Sequence, residues 1–322
     1  MSRLNLKRKL VLFILGSLAG PFLMASVALA ETPKITVAAS ILPLADFTRR
    51  IGGERVEVMA LIPPGASPHA FEPPPSVMAR AVRARVLVYI GAGMEPWADR
   101  VRRSHPGPVT VVEAAQGITL LQDGDAAHQQ LEGEKNEEHK GHGHEPQRSH
   151  GHAAGNPHIW LDPLLAQGIS KKIAGALIQV DPAHQDLYAA NLQKFLGELA
   201  DLHQEITRRA PAWTIKSYVS FHPAFTYFAR RYGLLEVGVI EAAPGREPTP
   251  KQLRKLIRDI RNYKIRVVFS EPQFNPRVAE VIAQEAGVKV LMLDPVGGRP
   301  PYDSDYIKLM KYNLDTMEAA MK

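Results

Sequence analysis

Residues 34–62 read KITVAASILPLADFTRRIGGERVEVMALI, and that stretch sets the architecture. Residues 34–40 (KITVAAS) and 56–62 (VEVMALI) are short apolar runs of strand length. Between them, residues 42–51 repeat their apolar side chains at helical spacing. A strand, a helix and a second strand in succession describe one crossover of a parallel sheet. Moving outward, residues 86–90 (VLVYI) and 109–112 (VTVV) read as two more strands, with a helix over 76–84. The alternation predicts an α/β lobe.

A helix over 164–179 follows, stopped by Asp181-Pro182. Residues 183–209 then carry Leu187, Leu192, Phe195, Leu199, Leu202 and Ile206 at helical spacing. This run exceeds an ordinary crossover and suits a rod between two lobes. A second α/β series comes next, with strands at 216–221, 236–241, 266–270 and 289–293. Helices over 224–232, 249–263 and 276–286 connect them, the last ended by Gly287. The fold class is therefore α/β: two similar lobes joined by one long rigid helix, with a cleft between them. Residues 31–180 make the N-terminal lobe, 181–210 the connecting helix and 211–322 the C-terminal lobe. The repetition is architectural; the sequence itself shows no repeat.

Residues 1–30 read as a cleavable export signal. Arg3, Lys7, Arg8 and Lys9 precede an apolar stretch, and Ala28-Leu29-Ala30 supplies the small-x-small cleavage site. An uncleaved anchor fits less well, because Gly and Pro interrupt the apolar run. The expected location is the periplasm. The net charge of +6 includes the four cations of this leader, so the mature chain is too nearly neutral to argue for nucleic acid. With no cysteine in the chain, disulfides and thiolate metal sites are excluded, and imidazole and carboxylate remain as metal ligands.

Half of the 12 histidines crowd into residues 128–152: His128, His139, His142, His144, His150 and His152. Leu131 is the only large apolar side chain in that tract, too little to offset the entropy of ordering it. A disordered, His-rich loop can wrap a transition metal without a preformed cage, as an auxiliary low-affinity site. The plainer reading is a solvated polar loop.

Four other residues lie where a strand ends or order resumes: His69 in PPGASPHAFEP, His158 in NPHIWLDP, His222 after SYVSF, and Asp294 after KVLML. Ligands of open α/β sheets collect at the carboxyl ends of strands. Each residue alone is ordinary. Three imidazoles and one carboxylate converging on one cleft would make a closed tetrahedral site suited to zinc. His105, His184 and His203 are contrast cases, the first in a turn beside Pro106 and the other two solvated on the long helix.

At these residues the chain resembles the periplasmic metal-binding proteins of zinc and manganese ABC importers, on the zinc-binding branch. PPGASPHAFEP, NPHIWLDP, SFHPAFTYFARRYGL, EPTPKQL, FSEPQF and LDPVGG match that family's motifs in order along nearly the whole mature chain. The resemblance implies a monomeric carrier of Zn2+ rather than an enzyme. It also implies docking to a membrane permease with a cytoplasmic ATPase, and the ligand set His69, His158, His222 and Asp294. Some zinc members place an acid just before the first histidine; Pro68 stands there in this chain, which leaves the fourth position to Asp294, with water or a tract histidine as the alternatives. Glu72 and Glu271 lie in the motifs as structural carboxylates or supports for the ligands.

Three other functions share these residues. A manganese or iron carrier on the same fold would want a carboxylate at position 222, where this chain has the softer imidazole. An exported zinc hydrolase would need an open coordination position and a general base such as Glu72 or Glu271. A metal-buffering or adhesive protein would use every ligand without transport.

Overall fold

Eight short strands assemble into two four-stranded sheets, parallel throughout, in a computed structural model that describes residues 34–122, 155–242 and 247–322. The first sheet contains β1 (Ile35–Ala39), β2 (Val56–Ala60), β3 (Val86–Tyr89) and β4 (Thr110–Glu113) in the order β2-β1-β3-β4. The second contains β5 (Ser217–Ser220), β6 (Leu235–Val239), β7 (Val267–Ser270) and β8 (Lys289–Met292) in the order β6-β5-β7-β8. Both sheets reverse direction of winding at their first strand. Each therefore has a crevice at the carboxyl ends of its first and third strands, where such folds bind ligands.

Nine α-helices are present among the described residues. In the first lobe these are α1 (Leu42–Gly52), α2 (Pro75–Ala81), α3 (Ala98–Ser104) and α4 (Pro163–Val180). The rod is α5 (Gln185–Arg209), and the second lobe carries α6 (Thr226–Tyr232), α7 (Pro250–Asn262), α8 (Arg277–Ala286) and α9 (Tyr306–Met321). Local chemistry sets several boundaries. The Asp162 side chain accepts from the Leu164 N–H and caps α4. Thr249 and Gln252 form a reciprocal capping box at the start of α7. Gly287 ends α8 in the left-handed region at φ 72°.

The rod helix runs 25 residues and is flanked by single 3-10 turns, Pro182–His184 and Ala210–Ala212. Its buried face is Tyr188, Phe195, Leu199, Leu202 and Ile206. Leu187, expected on that face, is 41% exposed instead. Tyr188 takes its place because its hydroxyl reaches Asp181 at 2.7 Å while its ring stays buried.

The larger apolar core runs through both lobes, and a smaller one lies within the second sheet around Val219, Phe221, Leu256, Ile260 and Val268. Polar bridges also tie the lobes together. Trp160 Nε1–H donates to the Pro295 carbonyl at 2.7 Å, and the Tyr306 hydroxyl donates to the Trp160 carbonyl at 2.5 Å. Arg50 of α1 reaches Glu198 of the rod at 2.6 Å and Asp305, the N-cap of α9, at 2.9 Å.

No helix of the described residues is long and apolar enough to cross a membrane. The export signal at 1–30 and the His-rich loop at 128–152, with His128, His139, His142, His144, His150 and His152, lie outside the described residues.

Candidate metal centre

His222 immediately follows Phe221 at the end of β5, and Pro223 begins a 3-10 turn that diverts the chain away. His158 opens the 3-10 turn Ile159–Leu161 between the lobes, and His69 sits in the proline-rich loop after β2. The tertiary fold brings all three imidazoles together. Nε2 of His158 is 3.0 Å from Nε2 of His69 and 3.1 Å from Nε2 of His222. One nitrogen from each ring lies within 4.8 Å of the others. Tetrahedral zinc with bonds of about 2.0–2.1 Å sets its nitrogen ligands roughly 3.3 Å apart, so this convergence is near the spacing the ion needs.

The far side of two rings is fixed. Asn156 Oδ1 lies 2.9 Å from His158 Nδ1 and also accepts the His158 backbone N–H at 3.0 Å. The Asn156 amide nitrogen donates to the Pro223 carbonyl at 2.6 Å, which sets the amide's orientation and links the His158 segment to the residue after His222. Glu271 does the same for His222, with its carboxylate 2.7 Å from Nδ1 and 3.1 Å from the backbone nitrogen. Because both acceptors call for a proton on Nδ1, the Nε2 lone pairs face the cluster, as metal ligation requires. The two lone pairs of His158 and His222 held this close repel one another, and a cation between them relieves that repulsion.

His158 and His222 are buried, while His69 is partly exposed and forms the accessible edge. The cavity at the cluster is small and lined by Ser67, His69, His158, His222, Gln273 and Phe274, among others. Phe274 stacks on Phe221 and meets the edge of the His222 ring. Gly298 (φ +96°) matters here because a Cβ would fall 2.7 Å from atoms of both Leu42 and Pro64. Only glycine lets this second-lobe loop close against the loop that carries His69.

Asp294 is not brought into the cluster. Its carboxylate is buried and engaged behind it. Oδ1 accepts from Val296 N at 3.0 Å, Gly297 N at 2.9 Å and Gln273 Nε2 at 3.0 Å, and Oδ2 accepts from the Tyr302 hydroxyl at 2.7 Å. Burial, with Asp294 beside it, pushes the Tyr302 phenol well above its ordinary range, so it stays a donor. Glu72 lies away from the cavity, exposed and paired with Arg100.

The contrast histidines have local structural partners. His105 bonds the carbonyls of Gly107 and Ala84, at 2.6 and 3.0 Å, and His184 bonds Asp181 at 2.9 Å. His203 faces the Tyr232 hydroxyl at 3.0 Å, and both it and His184, which lies in the 3-10 turn before the rod, are half-buried rather than solvated. Asn156, Ser67 and Gln273 were not singled out from the sequence, although each falls inside a quoted motif. The one available signal was Asn156, two residues before a candidate ligand, the spacing of an Asx turn.

A family model described as the periplasmic zinc-uptake complex component A, ZnuA, matches residues 37–320. The high-affinity zinc uptake system protein ZnuA of Bacillus subtilis is 31% identical over 293 residues, which cover 89% of this chain and 88% of that protein. The zinc-binding protein AdcA of Streptococcus pyogenes is 30% identical across 88% of this chain but only 55% of its own length. Among solved structures, a crystal structure of ZnuA superposes with a TM-score of 0.76 at 32% identity, covering 90% of this chain and all, 100%, of that one.

Proposed function

We propose that His69, His158 and His222 bind the Zn2+ ion that this chain carries, the chain itself belonging to the family of periplasmic zinc-uptake complex component A proteins. That family consists of solute-binding proteins. In this reading the protein is exported through its N-terminal signal, works as a periplasmic monomer and hands zinc to an ABC permease driven by a cytoplasmic ATPase. The observation that carries it is the convergence of three Nε2 atoms, with the Nδ1 atoms of His158 and His222 held by Asn156 and Glu271.

Three imidazoles make a softer donor set than manganese prefers, which supports zinc as the cargo. Buried Glu271 offsets part of the ion's charge through His222. Its engagement there also argues against a hydrolase, which would need that carboxylate free as a base. Asp294, expected from the sequence as fourth ligand, would have to turn from its present donors to reach the ion; we assign it the supporting place its hydrogen bonds give it. The His-rich tract would serve as an auxiliary collector through His128, His139, His142, His144, His150 and His152. Deleting it should lower zinc stoichiometry and leave one tight site.

His222→Ala tests the reading. Calorimetry on the tract-deleted chain should show zinc binding weakened at least about 100-fold, since one of the direct ligands is gone. Unchanged affinity would refute the assignment.

A further inference from the structure

Among the residues that line the cavity at the histidine cluster, two have a buried oxygen with no hydrogen-bond partner among the described residues: Ser67 Oγ and Gln273 Oε1. Both residues line the cavity that His69, His158 and His222 share. They approach from opposite lobes, Ser67 from the loop after β2 and Gln273 from the loop after β7. An unpartnered buried polar atom forfeits its hydration without compensation, so two in one cavity call for a common partner.

The chemistry of Gln273 fixes which way its amide faces. A carboxylate only accepts hydrogen bonds, so the group 3.0 Å from Asp294 Oδ1 must be the amide nitrogen. The amide oxygen is then turned away from Asp294. The backbone N–H groups of Val296 and Gly297 hold the same Oδ1, so Asp294 acts as an anchor that sets the Gln273 rotamer. The Ser67 hydroxyl can accept as well as donate.

The three imidazoles leave a tetrahedral ion one position short. Pro68 stands just before His69 and offers no side-chain oxygen. A water bound to the ion through its oxygen has two protons to donate, and the cavity holds two acceptors without donors. We propose that Ser67 Oγ and Gln273 Oε1 form a clamp that holds a zinc-bound water in the fourth position, with Asp294 acting only through Gln273. This rests on the histidine reading above. It makes the fourth position an exchangeable one between the lobes, set by two neutral residues rather than by a carboxylate.

The test uses the full chain loaded with one equivalent of Co2+, whose visible spectrum reports coordination, together with zinc competition against a chelator. The native Co2+ complex should change its spectrum when azide replaces the water, and Asp294→Asn, whose Oδ1 can still accept from Gln273, Val296 and Gly297, should keep that response. Ser67→Ala and Gln273→Leu should each weaken zinc binding about tenfold and alter the azide response. Ser67→Thr, which restores the hydroxyl, should bind zinc as the native chain does. An azide-insensitive spectrum overturns the proposal, as does native zinc affinity in both Ser67→Ala and Gln273→Leu. Loss of the Co2+ spectrum in Asp294→Asn would make Asp294 a direct ligand and overturn it too. If His222→Ala still weakens zinc binding in those cases, the histidine site stands and only the water clamp falls.

Discussion

Two buried glutamates occupy matching crevices in the two lobes and do different work. Glu95 lies beyond β3, the third strand of the first lobe, and is 5% exposed; Glu271 directly follows β7 in the second lobe and is 3% exposed. Glu95 accepts from the backbone of its own loop, Ile90 N at 3.1 Å and Gly91 N at 3.0 Å. That loop holds three successive residues at positive φ, Gly91, Ala92 and Gly93, and the buried N–H groups of Ile90 and Gly91 need an acceptor. Glu271 instead accepts from His222, through both backbone nitrogen and Nδ1. The same sheet order thus yields one crevice closed by its own loop and one that presents the His222 imidazole to the histidine cluster. A shared topology supplies the place, and the residue after the first strand decides its use.

The largest effect expected from this contrast is on pH-dependent stability. Burial pushes the Glu95 carboxyl up to about 7 from an ordinary 4.5. The unfolded chain ionises this group first, so folding stability is fullest below the ordinary value and falls as pH rises toward 7. The loss amounts to roughly 3 kcal/mol and levels off above that pH. Denaturant unfolding from pH 4.5 to 8 should show the decline, and Glu95→Gln should flatten it while leaving zinc affinity within about twofold. A shift in zinc affinity would make the two glutamates functionally alike.

A smaller effect, and of the opposite kind, is expected for Glu271→Ala. Without its acceptor the His222 ring loses both orientation and basicity, which costs about 10–100-fold in metal affinity. Competition titration against a chelator measures it. Affinity unchanged from native would reduce Glu271 to a packing residue and erase the contrast with Glu95.

The smallest concerns whether the second lobe's outer helix feeds into its site. Thr249→Ala removes the capping box of α7 and should lower stability by about 1 kcal/mol in thermal or denaturant unfolding. Zinc affinity should not move, since α7 contributes none of the residues lining the cavity. A parallel loss of affinity would mean that helix stability, rather than strand-end contacts, governs the second crevice.

Much of the fold was legible because it rests on local periodicity. Apolar runs of strand length and helical spacing mark every strand and most helices, and Thr249, Gly287 and Asp181-Pro182 mark their ends. The helices α3 and α9 went unread. Arg100, Arg102 and Arg103 hide the short apolar face of the first, and the second mixes its buried Tyr306, Leu309, Met310 and Leu314 with buried Asn313. Asn313 is tolerated there because it pairs with the backbone of Asp294, at 2.9 and 2.7 Å, a contact across 19 residues that no window reveals.

The three histidines could be picked out because each follows a strand or begins a turn, and that placement is written in the chain. Sequence by itself determined the α/β class, the paired lobes, the long helix and a metal chemistry limited to imidazole and carboxylate, since all of these follow from residue type and short-range spacing. Which carboxylate supports a histidine of the cluster was decided by tertiary structure alone. Glu271 and Asp294 are both acids after second-lobe strands, yet one orients His222 and the other is held by Val296, Gly297, Gln273 and Tyr302. The difference lies in which donors the packed loops place within 3 Å of each oxygen, and hydrogen bonds that short are set by three-dimensional packing rather than by order along the chain.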